Sequence, residues 1–432
     1  MSKMREFCLR HGLLLSMNDI MAGIETFGAE IDRGLEENGV SSLKALPSYI
    51  DPYRCSFSPE NVIAMDIGGT ELRVALVSFG KETPEITHFE KHPIPGGKGV
   101  LSAGEFFNEL ASRLAPLADK AAKMGICFSF PAEIMSDRDA RIISFTKELK
   151  ISGAEGMFVR KGIKDALKRL GFKHDQKAVV LNDTAAALLG AVVCSGNRVF
   201  DDYIGLILGT GTNSCYVERN ENIKKTTMLA STPGKTIINL ESGGYSMAPG
   251  TDIDALFDAK TEIPGAQLFE KMISGAYQGG LFSEYLKTAV LEGYFSHKFS
   301  LVFSGLSKIA GIQLDEFCNY PYGTGALAEL AGDDEDDREA LYTLIDAFFD
   351  RIAALITINL TAILSRVAIK KRPWQPVCIS AEGTTFYKAK LFRPKLEYYM
   401  DLCARRGLGF QYEFVRTENC VLFGAAAAGL TD

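Results

Sequence analysis

Two glycine turns are the first candidates for chemistry in this 432-residue chain. One is Asp66-Ile67-Gly68-Gly69-Thr70, between the apolar runs Val62-Ile63-Ala64-Met65 and Leu72 to Phe79. The other is Gly209-Thr210-Gly211-Thr212-Asn213, between Tyr203 to Leu208 and Ser214 to Glu218. Such turns present consecutive backbone N–H groups with no Cβ in the way, which makes concave anion sites suited to phosphate. The hydroxyls of Thr70, Thr210 and Thr212 are further donors. A single turn of this kind reads equally well as an ordinary hairpin. Two of them, about 140 residues apart and each opening a stretch of alternating strands and helices, favour phosphate and an internal duplication.

Two carboxylates stand beside these runs. Asp66 ends a hydrophobic strand directly before the first turn, where it can cap the turn or face a magnesium ion riding on nucleotide phosphates. Asp183 ends the apolar strand Ala178 to Leu181 and precedes an alanine-rich helix start, so helix capping is one reading of it. Other nucleotide and metal motifs fail. Gly234-Lys235-Thr236 resembles the end of a P-loop, but Leu229 stands where the leading glycine belongs. Gly209-Thr210-Gly211 is followed by Ser214 and a strand, not by a third glycine and a helix. The five histidines show no HExxH or other metal spacing.

The elements that must hold these residues read as alternating strands and helices. Residues 4–38 are predicted helix, Glu105 to Lys123 another, and Gly125 to Phe130 a buried strand. A fainter third strand–turn–strand unit is expected at Val377 to Ser380, Glu382-Gly383-Thr384-Thr385 and Phe386-Tyr387. The acidic run Asp333 to Glu339 precedes a helical segment of about Arg338 to Arg366, where carboxylates complement the helix dipole.

At this length two domains, or one large two-lobed one, are expected, because single cores stop growing near ~250–300 residues. The apolar fraction is 47%, the charged fraction 23% and the net charge −7. These are globular averages that exclude disorder and coiled coil, and the charge leaves no footprint for nucleic acid or an anionic membrane. Nine scattered cysteines, several in apolar runs such as Ile126-Cys127-Phe128, read as reduced core thiols. No stretch approaches ~18 uninterrupted apolar residues and no signal segment is evident. A soluble cytoplasmic protein is expected; oligomeric state is not legible.

At this point the residues carry a family resemblance. Asp66 to Arg73 resembles the first phosphate motif of the hexokinases, Phe128-Ser129-Phe130-Pro131 their sugar loop, and Ser144-Phe145-Thr146-Lys147 the segment after it. Leu181-Asn182-Asp183-Thr184 resembles the catalytic-aspartate motif, and Gly209 to Glu218 the second phosphate motif. Ile238-Asn239-Leu240-Glu241, Phe269 to Gly275 and Ser42 to Pro47 match as well, in order, from about residue 40 to Gly424-Ala425-Ala426.

The resemblance implies an actin-like (ribonuclease H-like) duplicated α/β fold with a sugar cleft between two lobes. Residues 60–181 with the C-terminal helix 419–432 would form the small lobe, and 1–59 with 182–418 the large one. The implied reaction is transfer of the ATP γ-phosphate to the 6-hydroxyl of a hexose such as glucose. Asp183 would be the general base, and Lys147 would hold the sugar and favour developing charge. Ser129, Thr146, Asn182, Asn213 and Glu241 would bind sugar hydroxyls, and Asp66 would hold Mg²⁺ through water. Gly68, Gly69, Thr70, Arg73, Gly209, Thr210, Gly211 and Thr212 would meet nucleotide phosphates, with Gly383 and Thr384 near the nucleoside.

Three departures from the pattern bear on specificity. Gly280 stands where the family's sugar-binding glutamate is expected, Ser242 where a tryptophan follows Glu241, and Glu71 where an asparagine lies in the first phosphate turn. The first two are expected to enlarge the C1–C2 end of the pocket, and Glu71 is repulsive to phosphate unless it turns away or meets the metal. The alternatives to a glucose-type hexokinase are a kinase for another hexose or a 2-substituted amino sugar, and a non-catalytic sugar sensor on the same fold. Retention of Asp183 and Lys147 favours an enzyme.

Overall fold

The computed structural model describes residues 2–54, 59–80, 83–97, 99–145, 149–172, 176–305 and 308–431. Its centre is a pair of mixed sheets. One has five strands in the order Lys177–Leu181, Lys123–Phe128, Asn61–Ile67, Glu71–Ser78, Glu85–Pro93. The other has six, in the order Leu46–Pro47, Lys235–Asn239, Thr212–Arg219, Tyr203–Leu208, Val377–Glu382, Tyr412–Val415. Leaving aside the two-residue strand Leu46–Pro47, both sheets have one topology. An antiparallel meander of three strands comes first, and its first strand then pairs in parallel with the fourth, which pairs in parallel with the fifth.

The duplication therefore lies in topology as well as in glycine turns. Each glycine turn closes the first hairpin of its unit, at the carboxyl end of a parallel strand, where open α/β sheets hold ligands. The expected third strand–turn–strand unit does not form. Val377–Glu382 is the fourth strand of the second unit, and a helix, Thr384–Lys388, follows it instead of a returning strand. A turn followed by a fully buried strand looks the same in sequence whether it starts a hairpin or a crossover.

Residues 4–38 form two helices, Lys3–Arg10 and Met17–Glu36, not one. Gly12 breaks them at φ +66, and serines 2 and 16 cap the two N-termini. The acidic run does start a helix, Glu335–Val367, whose N-cap Asp334 accepts the N–H groups of Asp336 and Asp337. That helix is long and apolar enough to cross a membrane by composition, yet 94% of its most apolar window is buried in this protein, so it serves as the core of the larger half.

The C-terminal helix Cys420–Leu430 lies between the five-stranded sheet and the helix Asp183–Cys194. Glycines make this approach feasible. A Cβ on Gly424 or Gly190 would enter the backbone of the facing helix, and one on Gly125 would enter that of Ala425. A third cluster of buried side chains, including Val62, Leu181, Leu188, Tyr203, Ile237 and Leu422, joins the two sheets through these helices. Seven of the eight described cysteines are buried and all eight are free; Cys55 lies outside the described residues.

Candidate active site

The carboxyl ends of three parallel strands bring the candidate residues together. Asn61–Ile67 ends at Asp66, Lys123–Phe128 leads to Ser129, and Lys177–Leu181 leads to Asn182 and Asp183. Cys127 is in register with both Asp66 and Leu181, so the carboxylates flank a single intervening strand. Helix capping falls to Asn182, whose Oδ1 accepts the Thr184 N–H at 2.8 Å. Asp183 is the first residue of the helix and is free for chemistry on that count. Its Oδ1 accepts the Thr184 N–H at 2.7 Å and the Thr184 hydroxyl at 3.1 Å. Burial pushes its carboxyl up to about 6, the charges of Asp66 and Glu241 add to the rise, and the Thr184 bonds oppose it.

Glu241 approaches from the second sheet, near enough for its charge to raise the Asp183 carboxyl. It stands in left-handed backbone at φ 54, an unfavourable conformation for a non-glycine residue that is held by its neighbours. Asn239 Nδ2 donates to its Oε1 at 2.7 Å, and Asn213 Nδ2 donates to Asn239 Oδ1 at 2.7 Å. The Asn213 side-chain amide oxygen, Oδ1, accepts the N–H groups of Ser214 and Ser242. Asn213 thus holds the Asn239–Glu241 relay, while Asn182, Asn239 and Glu241 line a pocket with Pro47, Phe128 and Phe130. Asn239 and Pro47 lie in segments that match the family but carried no expected contact; for Asn239 a polar residue ending the buried strand Lys235–Asn239 was the available signal. Thr146 and Lys147 lie outside the described residues.

The first glycine turn is open. Gly69 has nothing within 4 Å of a built Cβ, and Gly68 N–H donates to Glu71 carbonyl at 3.0 Å. Glu71 turns away from it, to Lys91 Nζ at 2.7 Å on the neighbouring strand. Arg73 lies on Asp66, its Nε 2.8 Å from Oδ2 and its Nη2 on the same oxygen. It also feels Glu382 of the other sheet, whose carboxyl is raised by burial and drawn back by Arg416 and Arg73. Gly383, at φ +116, packs its backbone on Leu208 and Gly209, which places the third glycine turn against the second. Thr385 ties the two by donating to the Gly209 carbonyl at 3.1 Å.

One expectation needs correcting. The loss of a side chain at Gly280 does not leave open space, because the Phe257 ring fills it, 2.9 Å from where a Cβ would stand. Ser242 is fully buried, with a hydroxyl that has no partner among the described residues.

Two sheets of one repeated topology, each with a glycine turn at the carboxyl end of its first strand, are those of an actin-like sugar kinase fold. The hexokinase from Schistosoma mansoni complexed with glucose superposes with a TM-score of 0.79 over 99% of both chains at 23% identity. The two family models described as hexokinase match residues 8–193 and 203–431. The chain belongs to the hexokinase family. It is 33% identical over 288 residues to chloroplastic hexokinase-2 of Nicotiana tabacum, 63% of this chain and 56% of that one. To human hexokinase-1 it is 30% identical over 306 residues, 66% of this chain and 32% of that one. The chain thus spans about half the length of the plant relatives it matches and less of the human one.

Among the described residues no group of three or more His, Cys, Asp or Glu side chains forms a self-sufficient metal site. A magnesium ion on nucleotide phosphates needs less, one or two carboxylates with water. Asp66 fits that need as a carboxylate at the end of its strand beside the first glycine turn, held by Arg73 through Oδ2.

Proposed function

We propose that the chain is an ATP-dependent hexokinase that transfers the γ-phosphate to the 6-hydroxyl of a hexose such as glucose. Asp183 carries the reading: a carboxylate raised to about 6, at a helix start and near enough to Asp66 and Glu241 to feel both charges. At neutral pH it is ionised yet basic enough to take a proton, the balance general-base catalysis requires. Phosphoryl transfer is mostly positioning and charge stabilisation, so the remaining residues orient and shield. Glu241, Asn182 and Ser129 would hold the sugar hydroxyls, with Thr146 and Lys147 joining them as the family resemblance implies. Phe128 and Phe130 line the pocket beside Asn182 and Glu241 and would offer the sugar an apolar wall. The Thr210 and Gly211 N–H groups and the first turn would take the phosphates. Mg²⁺, held by Asp66 through water, would supply charge neutralisation there.

A second reading, a kinase for a 2-substituted sugar, is supported by Gly280, since an aromatic ring stands where the resemblance expects a carboxylate. We also infer that residues 60–181 with the C-terminal helix close over the sugar against the rest, and that the protein works in a reducing compartment such as the cytoplasm. The free thiols support the latter.

The test is a coupled assay for ADP and sugar phosphate with glucose, mannose, fructose, glucosamine and N-acetylglucosamine. Turnover of at least one, lost in Asp183→Asn, upholds the reading. Sugar binding without turnover of any would leave a sensor.

A further inference from the structure

We propose that Glu270 is a positioning residue of the nucleotide-phosphate turn, holding its anion-binding N–H groups outward at the expense of a carboxylate beside the phosphates. The inference rests on the phosphotransfer reading above. Three successive peptide units of the turn are each anchored from one side. The Gly209 carbonyl accepts Gly275 N–H at 2.8 Å, and the Thr210 carbonyl accepts Ala276 N–H at 3.1 Å. In a planar trans peptide the N–H points opposite to the carbonyl. The N–H groups of Thr210 and Gly211 therefore face away from the helix Gly275–Leu291, and neither has an acceptor among the described residues. The third unit is reversed. The Gly211 carbonyl accepts Gly209 N–H at 2.9 Å, which leaves the Thr212 N–H pointing back into the protein, and Glu270 Oε2 accepts it at 2.9 Å.

The same contact bears on Gly211, since a Cβ there would stand 2.7 Å from Glu270 Oε2 and displace the carboxylate. Glu270 is half-buried, and burial raises its carboxyl, with the Glu241 charge adding to the rise. Only an acceptor is needed at this place. The negative charge works against a neighbouring polyphosphate, so a glutamine, which keeps a carbonyl oxygen, would hold the turn without the repulsion.

The experiment is calorimetric titration of a non-hydrolysable ATP analogue with Mg²⁺, and separately of glucose, into the whole chain and its variants. Glu270→Ala is expected to weaken nucleotide binding by ~10–100-fold, the weight of a hydrogen bond to a charged group. Glu270→Gln is expected to stay within ~3-fold of wild type or to bind tighter. Gly211→Ala is expected to mimic Glu270→Ala by pushing the carboxylate off the Thr212 N–H. Glucose affinity should not move in any of them. Should Glu270→Ala fail to fold, Glu270→Gln and Gly211→Ala decide the matter. Nucleotide affinity unchanged in Glu270→Ala, or as weak in Glu270→Gln as in Glu270→Ala, overturns the inference alone. A wild-type chain that binds no adenine nucleotide brings down the phosphotransfer reading and this inference with it.

Discussion

The Phe257 ring occupies the space into which a side chain at position 280 would grow, with Cε2 and Cζ 2.9 and 3.2 Å from a Cβ built on Gly280. The ring also packs edge-on against Tyr277, at 6.3 Å between centroids. The two positions act as a unit in which bulk has moved from one to the other.

Gly280→Glu alone is therefore expected to overpack the site, lowering stability by about 1–3 kcal/mol without lowering the KM for glucose. Phe257→Val/Gly280→Glu should recover most of that stability. If a carboxylate at 280 reaches the sugar, the double variant will also sharpen kcat/KM for glucose over N-acetylglucosamine. Urea unfolding and steady-state kinetics on the three proteins check this. A single variant as stable as wild type would show that the ring yields freely.

Asp183→Asn is expected to keep sugar affinity and lose ~10²–10⁴-fold in kcat. Because the ionised form is needed, wild-type kcat/KM should fall as pH drops through about 6. Stability runs the other way. The folded state raises the carboxyl from its ordinary 3.8, so ionisation costs folding energy above about 6 and nothing below 3.8. The Asn variant should then be the more stable protein at pH 7.5, by about 1–2 kcal/mol after discounting for partial exposure, and equal to wild type at pH 3.5. Denaturation midpoints at the two pH values measure the difference. A variant less stable at pH 7.5 would mean that Asp183 contributes to the fold.

Arg73 neutralises Asp66 in this structure and faces Glu382 of the opposite sheet. Arg73→Ala is expected to raise the KM for ATP by ~10–100-fold, the weight of a charge-assisted contact to phosphate. Arg73→Lys should recover only part of this, because the ammonium lacks the guanidinium fork. The glucose KM at saturating ATP serves as the control, and an equal effect on both substrates would count against a phosphate role.

The Glu71–Lys91 pair is about half exposed, so breaking it should change stability by less than ~1 kcal/mol. Its effect on nucleotide should be larger. Lys91→Ala frees a carboxylate next to the first turn and is expected to raise the KM for ATP by ~3–10-fold at low salt and less at high salt. Glu71→Gln/Lys91→Ala should return to wild type. Salt-dependent ATP kinetics on the single and double variants read this directly.

Much of the site was legible because its signals are local. A glycine turn between two apolar runs, or a carboxylate that ends one, is a matter of neighbouring residues, and so Asp66, Asp183 and both phosphate turns could be named from sequence together with the duplicated α/β architecture. What the tertiary structure decided were pairings between distant segments. Whether Asn182 or Asp183 caps the helix, and where Glu71 points, depends on geometry that spacing does not encode. Glu270 meets Thr212 across 58 residues of chain, and Asn239 meets Asn213 across 26. The third glycine turn looked like a new repeat because a strand carries no mark of whether its partner runs parallel or antiparallel, and that choice is made by the sheet it joins. Gly280 read as a vacancy because sequence records the missing side chain but not the Phe257 ring that close packing brings in to fill its place.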